Sequence, residues 1–118
     1  MNIDVLFAAV PVADITTATK WYDQLLGRPP DMPVNENEVM WRITDHAWLY
    51  LIVDPPRAGQ TVVTMAVGRL DDATIAIEER GITARSFATI PGAGRKAYFQ
   101  DPDGNTITII EVLQHDPE

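Results

Sequence analysis

Hydrophobic and polar positions along the chain follow two alternating rhythms. From Ile3 to Pro11 the chain is apolar and β-branched at short period, which predicts a strand. Asp14 then stands where a helix N-cap belongs, ahead of Ile15, Ala18, Trp21, Tyr22, Leu25 and Leu26. Spacings of three and four place these side chains on one stripe of a helix of about three turns, and Gly27 followed by Pro29 and Pro30 ends it. Strict alternation begins at Glu38, with Val39, Trp41 and Ile43 on one face and Glu38, Met40 and Arg42 on the other. Thr44, Asp45 and His46 turn the chain into a second strand, Ala47 to Val53, so a hairpin follows the helix. Asp54-Pro55-Pro56-Arg57-Ala58-Gly59 has the composition of a linker, because proline cannot donate a ladder hydrogen bond and glycine loosens the backbone.

The same order then recurs. Thr61 to Val67 reads as a strand, Asp71 or Asp72 as a helix cap, and Leu70, Ala73 and Ile77 as the inner stripe of a shorter helix that ends at Gly81. Ile82 to Thr89 reads as a strand, Pro91-Gly92-Ala93-Gly94 as a loop, Lys96 to Gln100 as a strand, Asp101 to Asn105 as a tight turn, and Thr106 to Leu113 as the last strand. Letters repeat as well as pattern: Val12-Ala13-Asp14-Ile15 matches Val67-Gly68-Arg69-Leu70 at an offset of about 55 residues. The expected fold class is α+β, with two tandem βαβββ modules at residues 1–54 and 61–118, joined by a linker at 55–60 within one structural domain.

Composition narrows the chemistry. A chain of 118 residues, 46% hydrophobic, can bury roughly two-thirds of its unfolded surface without a disulfide or a structural metal. It contains no Cys, which excludes thiolate catalysis, Cys-ligated zinc, iron–sulfur clusters and disulfides. The longest apolar run, Ala47 to Val53, is far short of the roughly twenty residues of a membrane span, and Asp4 stands where a signal peptide would carry a basic residue. A cytoplasmic protein without a membrane partner is expected. The formal charge of −8 opposes nucleic-acid binding, which depends on Lys and Arg neutralising phosphates, and favours the approach of cations.

The duplicated βαβββ pattern, the Trp21-Tyr22 helix closing on Leu25-Leu26-Gly27, and Asp101-Pro102-Asp103-Gly104-Asn105 before a last strand that holds Glu111 together resemble the vicinal oxygen chelate superfamily. That group includes glyoxalase I, bleomycin-resistance proteins, extradiol dioxygenases and fosfomycin-resistance enzymes. The resemblance spans residues 3 to 113 and implies sheets that curve around a cavity, completed by a second chain in a homodimer. It also implies metal ligands at four positions, which fall here on Phe7, Tyr50, Val62 and Thr108. None is His, Glu or Asp, and a divalent cation needs converging lone-pair donors. No metal or other cofactor is therefore expected.

In that frame, alternation puts Trp48, Tyr50 and Ile52 on the cavity side of their strand, with Met40 and Arg42, with Lys96, Tyr98 and Gln100, and with Thr106, Thr108 and Ile110 on theirs. Val39, Trp41, Ile43, Leu49, Leu51, Ala97, Phe99, Ile107 and Ile109 face the helices. The candidate ligand-binding residues are Phe7, Met40, Arg42, Trp48, Tyr50, Val62, Tyr98 and Thr108, a set of aromatic planes, a soft thioether and polar tips suited to a small, partly aromatic molecule. The acidic balance is compatible with a cationic, antibiotic-like ligand.

Three functions remain open. The leading one is sequestration of such a molecule, as in the bleomycin-resistance branch, with no catalytic residue. The second is an enzyme of the same superfamily, a lyase, isomerase or dioxygenase, using displaced ligands such as Glu111 or His46, or metal-free chemistry at Arg42, Tyr50 or Tyr98. The third is an interaction module with a vestigial cavity. His46 in a turn and His115 in the tail read as solvated, and Glu111 as an edge carboxylate facing away from Thr108. Gly92-Ala93-Gly94 reads as a loop at the cavity mouth from which Arg95 or Lys96 can reach a ligand. The Asp101–Asn105 segment lacks the Gly and bidentate Glu of a calcium loop and reads as a turn.

Overall fold

A computed structural model describes residues 1–112. Strand β1 (Leu6–Val12) runs into helix α1 (Ile15–Leu26), which is followed by β2 (Met32–Asn35), β3 (Glu38–Thr44) and β4 (Ala47–Val53). A short 3₁₀ turn at Pro55–Arg57 leads to β5 (Val62–Ala66), helix α2 (Leu70–Glu79), β6 (Ser86–Ile90), β7 (Gly94–Gln100) and β8 (Thr106–Val112). The strands form two four-stranded sheets, ordered β1-β4-β3-β2 and β5-β8-β7-β6. In each, the first strand pairs in parallel with the last and the other pairs are antiparallel. The fold is therefore α+β, two repeats of one βαβββ topology.

Helix α1 forms as its sequence dictates. Asp14 is extended and its carboxylate accepts from the Thr17 N–H at 2.9 Å, while Gly27 takes the left-handed conformation that closes the C-terminus. Through its side chain and its backbone N–H, Thr17 holds the Asp14 carboxyl below the ordinary Asp value. Ala18, Tyr22 and Leu25 are buried against Val10, Val12, Leu49, Leu51, Val39 and Trp41. Helix α2 buries Leu70 and Ile77, and Ala97, Phe99, Ile107 and Ile109 join the same continuous core. The alternation expected of β3, β4, β7 and β8 therefore holds: one parity of each strand lies under a helix, and the other makes an open face.

Several expectations change. Strand β1 starts at Leu6 rather than Ile3, because its ladder partner begins only at Ala47. Strand β2, which the βαβββ pattern requires but to which no segment had been assigned, is a short edge strand, where Pro33 is tolerated because one side of the ladder is free. Strand β6 starts at Ser86, since Ile82 is folded back under the end of α2, its N–H donating to the Ile77 carbonyl. Strand β7 starts at Gly94, so the Gly92–Gly94 loop is shorter. Asp71 and Asp72 do not cap α2; Arg69 holds the N-cap position without a side-chain bond, and the Leu70 N–H is met instead by Glu111 from β8 at 2.8 Å. The Leu113 end of β8 and His115 lie outside the described residues.

The two repeats are clasped by the Asp101–Asn105 turn. Asp101 accepts from the N–H groups of Asp103 and Asn105 through one oxygen, and from the Tyr22 hydroxyl at 2.7 Å and the Asn105 amide through the other. Asn105 also donates to the Pro11 carbonyl and accepts from the N–H groups of Gly59 and Thr61, while Asp103 accepts from Ala13. Gly59, at φ 89°, lets the 54–61 segment close on the turn: a Cβ there would sit 2.3 Å from the Asp103 carbonyl oxygen. The linker is thus anchored rather than loose. Burial, then the Asp101 charge and the hydrogen bond to it, push the Tyr22 phenol far above its ordinary value, so it stays protonated and donates.

Candidate ligand-binding site

The strand pairings fix which side chains share each open face. On the first sheet, Phe7, Trp48 and Arg42 form one cross-strand row and Ala9, Tyr50, Met40 and Met32 the next, with Pro11, Ile52 and Glu38 beyond. On the second sheet the rows are Val62, Thr106 and Gln100; then Thr64, Thr108, Tyr98 and Ser86; then Ala66, Ile110, Lys96 and Ala88. Phe7 and Val62 occupy equivalent places in the two repeats, as do Tyr50 and Thr108 and Met40 and Tyr98.

The first face holds a cavity of about 330 Å³ lined by Phe7, Met32, Met40 and Trp48. The Phe7 and Trp48 rings stack there, with centroids 6.3 Å apart and planes 19° from parallel. Phe7 is nonetheless 52% exposed and Val62 67%, so the described residues cover neither face. Tyr50 lies in the row beside this cavity. Arg42 stands at its edge, where its guanidinium pairs at 3.2 Å with the exposed carboxylate of Asp45 in the hairpin turn. Val62, Tyr98 and Thr108 belong to the second face. The eight candidate residues are therefore divided between two walls, Phe7, Met40, Arg42, Trp48 and Tyr50 on one and the remaining three on the other.

Met32, Thr64 and Ser86 share these faces without having been singled out. Met32 was hidden with its unassigned strand, whereas the alternation of Val62, Thr64 and Ala66 was already a usable signal for Thr64. Arg95 points away from the open face, pairing with Asp71 at 3.2 Å and with Glu111 at 3.7 Å; only Lys96 of that pair lies on it. Glu111 does face away from Thr108, and both its oxygens are engaged on the helix side. His46 sits in the exposed β3–β4 turn, its backbone bonded to Thr44 and Leu6.

The metal implied by the resemblance can be judged from donor chemistry. Phe7 and Val62 offer no lone pair, and among the described residues no group of three or more His, Cys, Asp or Glu converges. The carboxylates of the Asp101–Asn105 turn are consumed by the Tyr22, Asp103, Asn105 and Ala13 donors. These residues do not fit a divalent cation.

Paired βαβββ repeats, with a ring-lined cavity on the open side of one sheet, define a class of two-module α+β proteins. Over 92% of its length, and 98% of the other chain, this protein is similar to the glyoxalase/bleomycin resistance protein from Catenulispora acidiphila DSM 44928, with 36% identity and a TM-score of 0.88. The chain belongs to the glyoxalase/bleomycin-resistance family. It is also similar to TnmS3, an antibiotic binding protein from Streptomyces sp. CB03234 (25% identity, TM-score 0.72, 92% of this chain and 95% of that one). Lactoylglutathione lyase from Agrobacterium tumefaciens shares the fold (16% identity, TM-score 0.76, 94% and 95% covered). No family model matches the sequence, and no curated protein does. No helix among the described residues is long and apolar enough to cross a membrane.

Proposed function

We propose that this protein binds and sequesters a small, partly aromatic molecule in the cytoplasm, without a metal ion, in a chamber that two copies of the chain close together. The observation that carries this reading is the cavity of Phe7, Met32, Met40 and Trp48, an apolar aromatic cup at one of the places where metal-dependent relatives need donors. A stacked ring beside two polarizable thioethers adapts to planar ligands, each aromatic contact adding about 0.5 to 1.5 kcal/mol beyond area burial. The antibiotic-binding role of TnmS3 makes antibiotic resistance the natural setting.

A second copy is needed because the described residues of a single chain leave both walls open. Leu6, Phe7, Met32, Val34 and Val62 are all exposed, and the radius of gyration, 14.9 Å, exceeds the value of about 13.5 Å for a compact chain of this length. Pairing removes that exposed apolar surface from water. The modules, residues 1–54 and 61–118, are the units that such a dimer would match across chains.

The test is tryptophan fluorescence titration with a panel of planar aromatics, alongside sedimentation and metal analysis. Saturable quenching that EDTA does not change and Trp48→Phe abolishes is expected, from a particle of twice the chain mass. A flat response across the panel, or a stoichiometric divalent ion that survives dialysis, overturns the reading.

A further inference from the structure

The two open faces have the same backbone pairing and opposite chemistry. Where the first sheet presents Phe7, Trp48, Met40, Met32 and Tyr50, the second presents hydroxyls: Thr64, Thr108, Tyr98 and Ser86 in one unbroken row across its four strands, with Thr106 one row away and the Lys96 amine on the other side. Neighbouring strands are about 4.8 Å apart, and alternate residues along one strand about 6.8 Å. The hydroxyl-bearing residues therefore form one line across the four strands, with Thr106 beside it.

Threonine is common on exposed strands for its β-propensity alone, but Thr108 is different. It is only 3% exposed, in the middle of the row, yet every fully buried side-chain oxygen or nitrogen among the described residues has a hydrogen-bond partner. Among the described residues, the side-chain hydrogen bonds of this repeat are made by Thr74, Arg80, Arg85, Gln100, Asp101, Asp103, Asn105 and Glu111, and the Thr108 hydroxyl is not among them. What surface Thr108 keeps must therefore include its oxygen, turned toward the open side. A hydroxyl held by a packed strand and left without a partner is pre-organised for a ligand atom.

Charge points the same way. By strand parity, Glu38 is the single acid on either open face among the described residues, against Arg42 and Lys96. Much of the chain's surplus of acid is committed elsewhere, to the α1 cap, the Asp101 clasp between the repeats, the α2 terminus and surface ion pairs. Formal charge on these walls therefore gives a cation no advantage.

Resting on the reading that these faces bind a small aromatic molecule, we infer that the ligand is an uncharged, flat ring system bearing several hydroxyl or carbonyl oxygens along one edge. Its plane lies on the Phe7–Trp48 wall of one chain, and its oxygenated edge exchanges hydrogen bonds with the Thr64–Thr108–Tyr98 row of the partner. The aromatic wall supplies affinity and the hydroxyl wall supplies discrimination, since a ring without oxygens leaves the donors unpaired once water is excluded.

The test uses three probes of similar size: flavone, 5,7-dihydroxyflavone and cationic proflavine, titrated against the full dimeric chain with Trp48 quenching as the readout. The dihydroxyflavone is expected to bind about tenfold more tightly than either of the others. Thr108→Val and the surface variant Thr64→Val, each close in volume to the native residue, should each cut that preference about threefold or more, with flavone, which offers the row fewer oxygens, losing less affinity than the dihydroxy form. Equal binding of flavone and its dihydroxy form, tightest binding of proflavine, or an unchanged preference in both valine variants overturns the inference and leaves the aromatic site standing. If none of the three probes quenches Trp48, the binding reading falls with it.

Discussion

The two repeats differ most in how their helices are finished. Helix α1 carries its own N-cap, Asp14 bonding to Thr17 three residues on, whereas α2 has Arg69 at that position and takes its carboxylate from Glu111, far along the chain on β8. Only the end of α1 depends on the other repeat. Helix α1 has no basic residue in its last turn, and Arg80, at the end of α2, donates to the carbonyls of Gln24 and Leu25 there. The first repeat starts its helix locally and ends it on borrowed charge; the second borrows at its start. A duplicated backbone requires that each terminal group be satisfied, and leaves open which residue satisfies it.

That contrast can be probed from its strongest link downward. Asn105→Ala removes the side chain that ties Pro11 of the first repeat to Gly59 and Thr61 of the linker, leaving two backbone donors and a buried part of Asp101 without a partner. It should cost about 3 kcal/mol of unfolding free energy in urea denaturation, and a loss below about 1 kcal/mol would show that the repeats hold together without the clasp. Glu111→Ala should cost about 1 kcal/mol through the loss of the α2 cap. Adding Arg69→Asp to it should recover most of that loss by giving α2 the local cap that α1 possesses; no recovery would mean that Glu111 acts mainly through Arg95.

The smallest effect concerns pH. Because Thr17 depresses the Asp14 pKa, the cap's contribution is complete above the unfolded carboxyl value of about 3.9 and fades as pH falls through the lower folded value. Thermal unfolding of the Asp14→Ala variant and the parent should therefore differ near neutrality and converge toward pH 2. A difference that persists there would assign the effect to something other than the ionised cap.

Local patterns had already shown most of the secondary structure and both strand parities, including the sides taken by Trp48, Tyr50, Tyr98 and Thr108. They failed where a partner distant in sequence decides. Met32–Asn35 has too few residues and a proline, so its pairing with β3 was invisible. Asp71 and Asp72 had the right chemistry for a cap two and three residues too late, although the letter repeat already set Arg69 against Asp14. Tyr22 read as core, and its hydroxyl's bond to Asp101 could not be anticipated from a helical stripe.

The amino-acid order by itself determined the elements, the face on which each side chain falls and the residue types set against the positions of a metal, because periodicity, capping and side-chain chemistry act over a few residues. Tertiary structure alone decided that Phe7 and Trp48 stack over the methionines, that one asparagine joins the two repeats, and that the hydroxyls line up across four strands. Those outcomes depend on strand order and register, which bring together residues separated by most of the chain, and no local propensity encodes them.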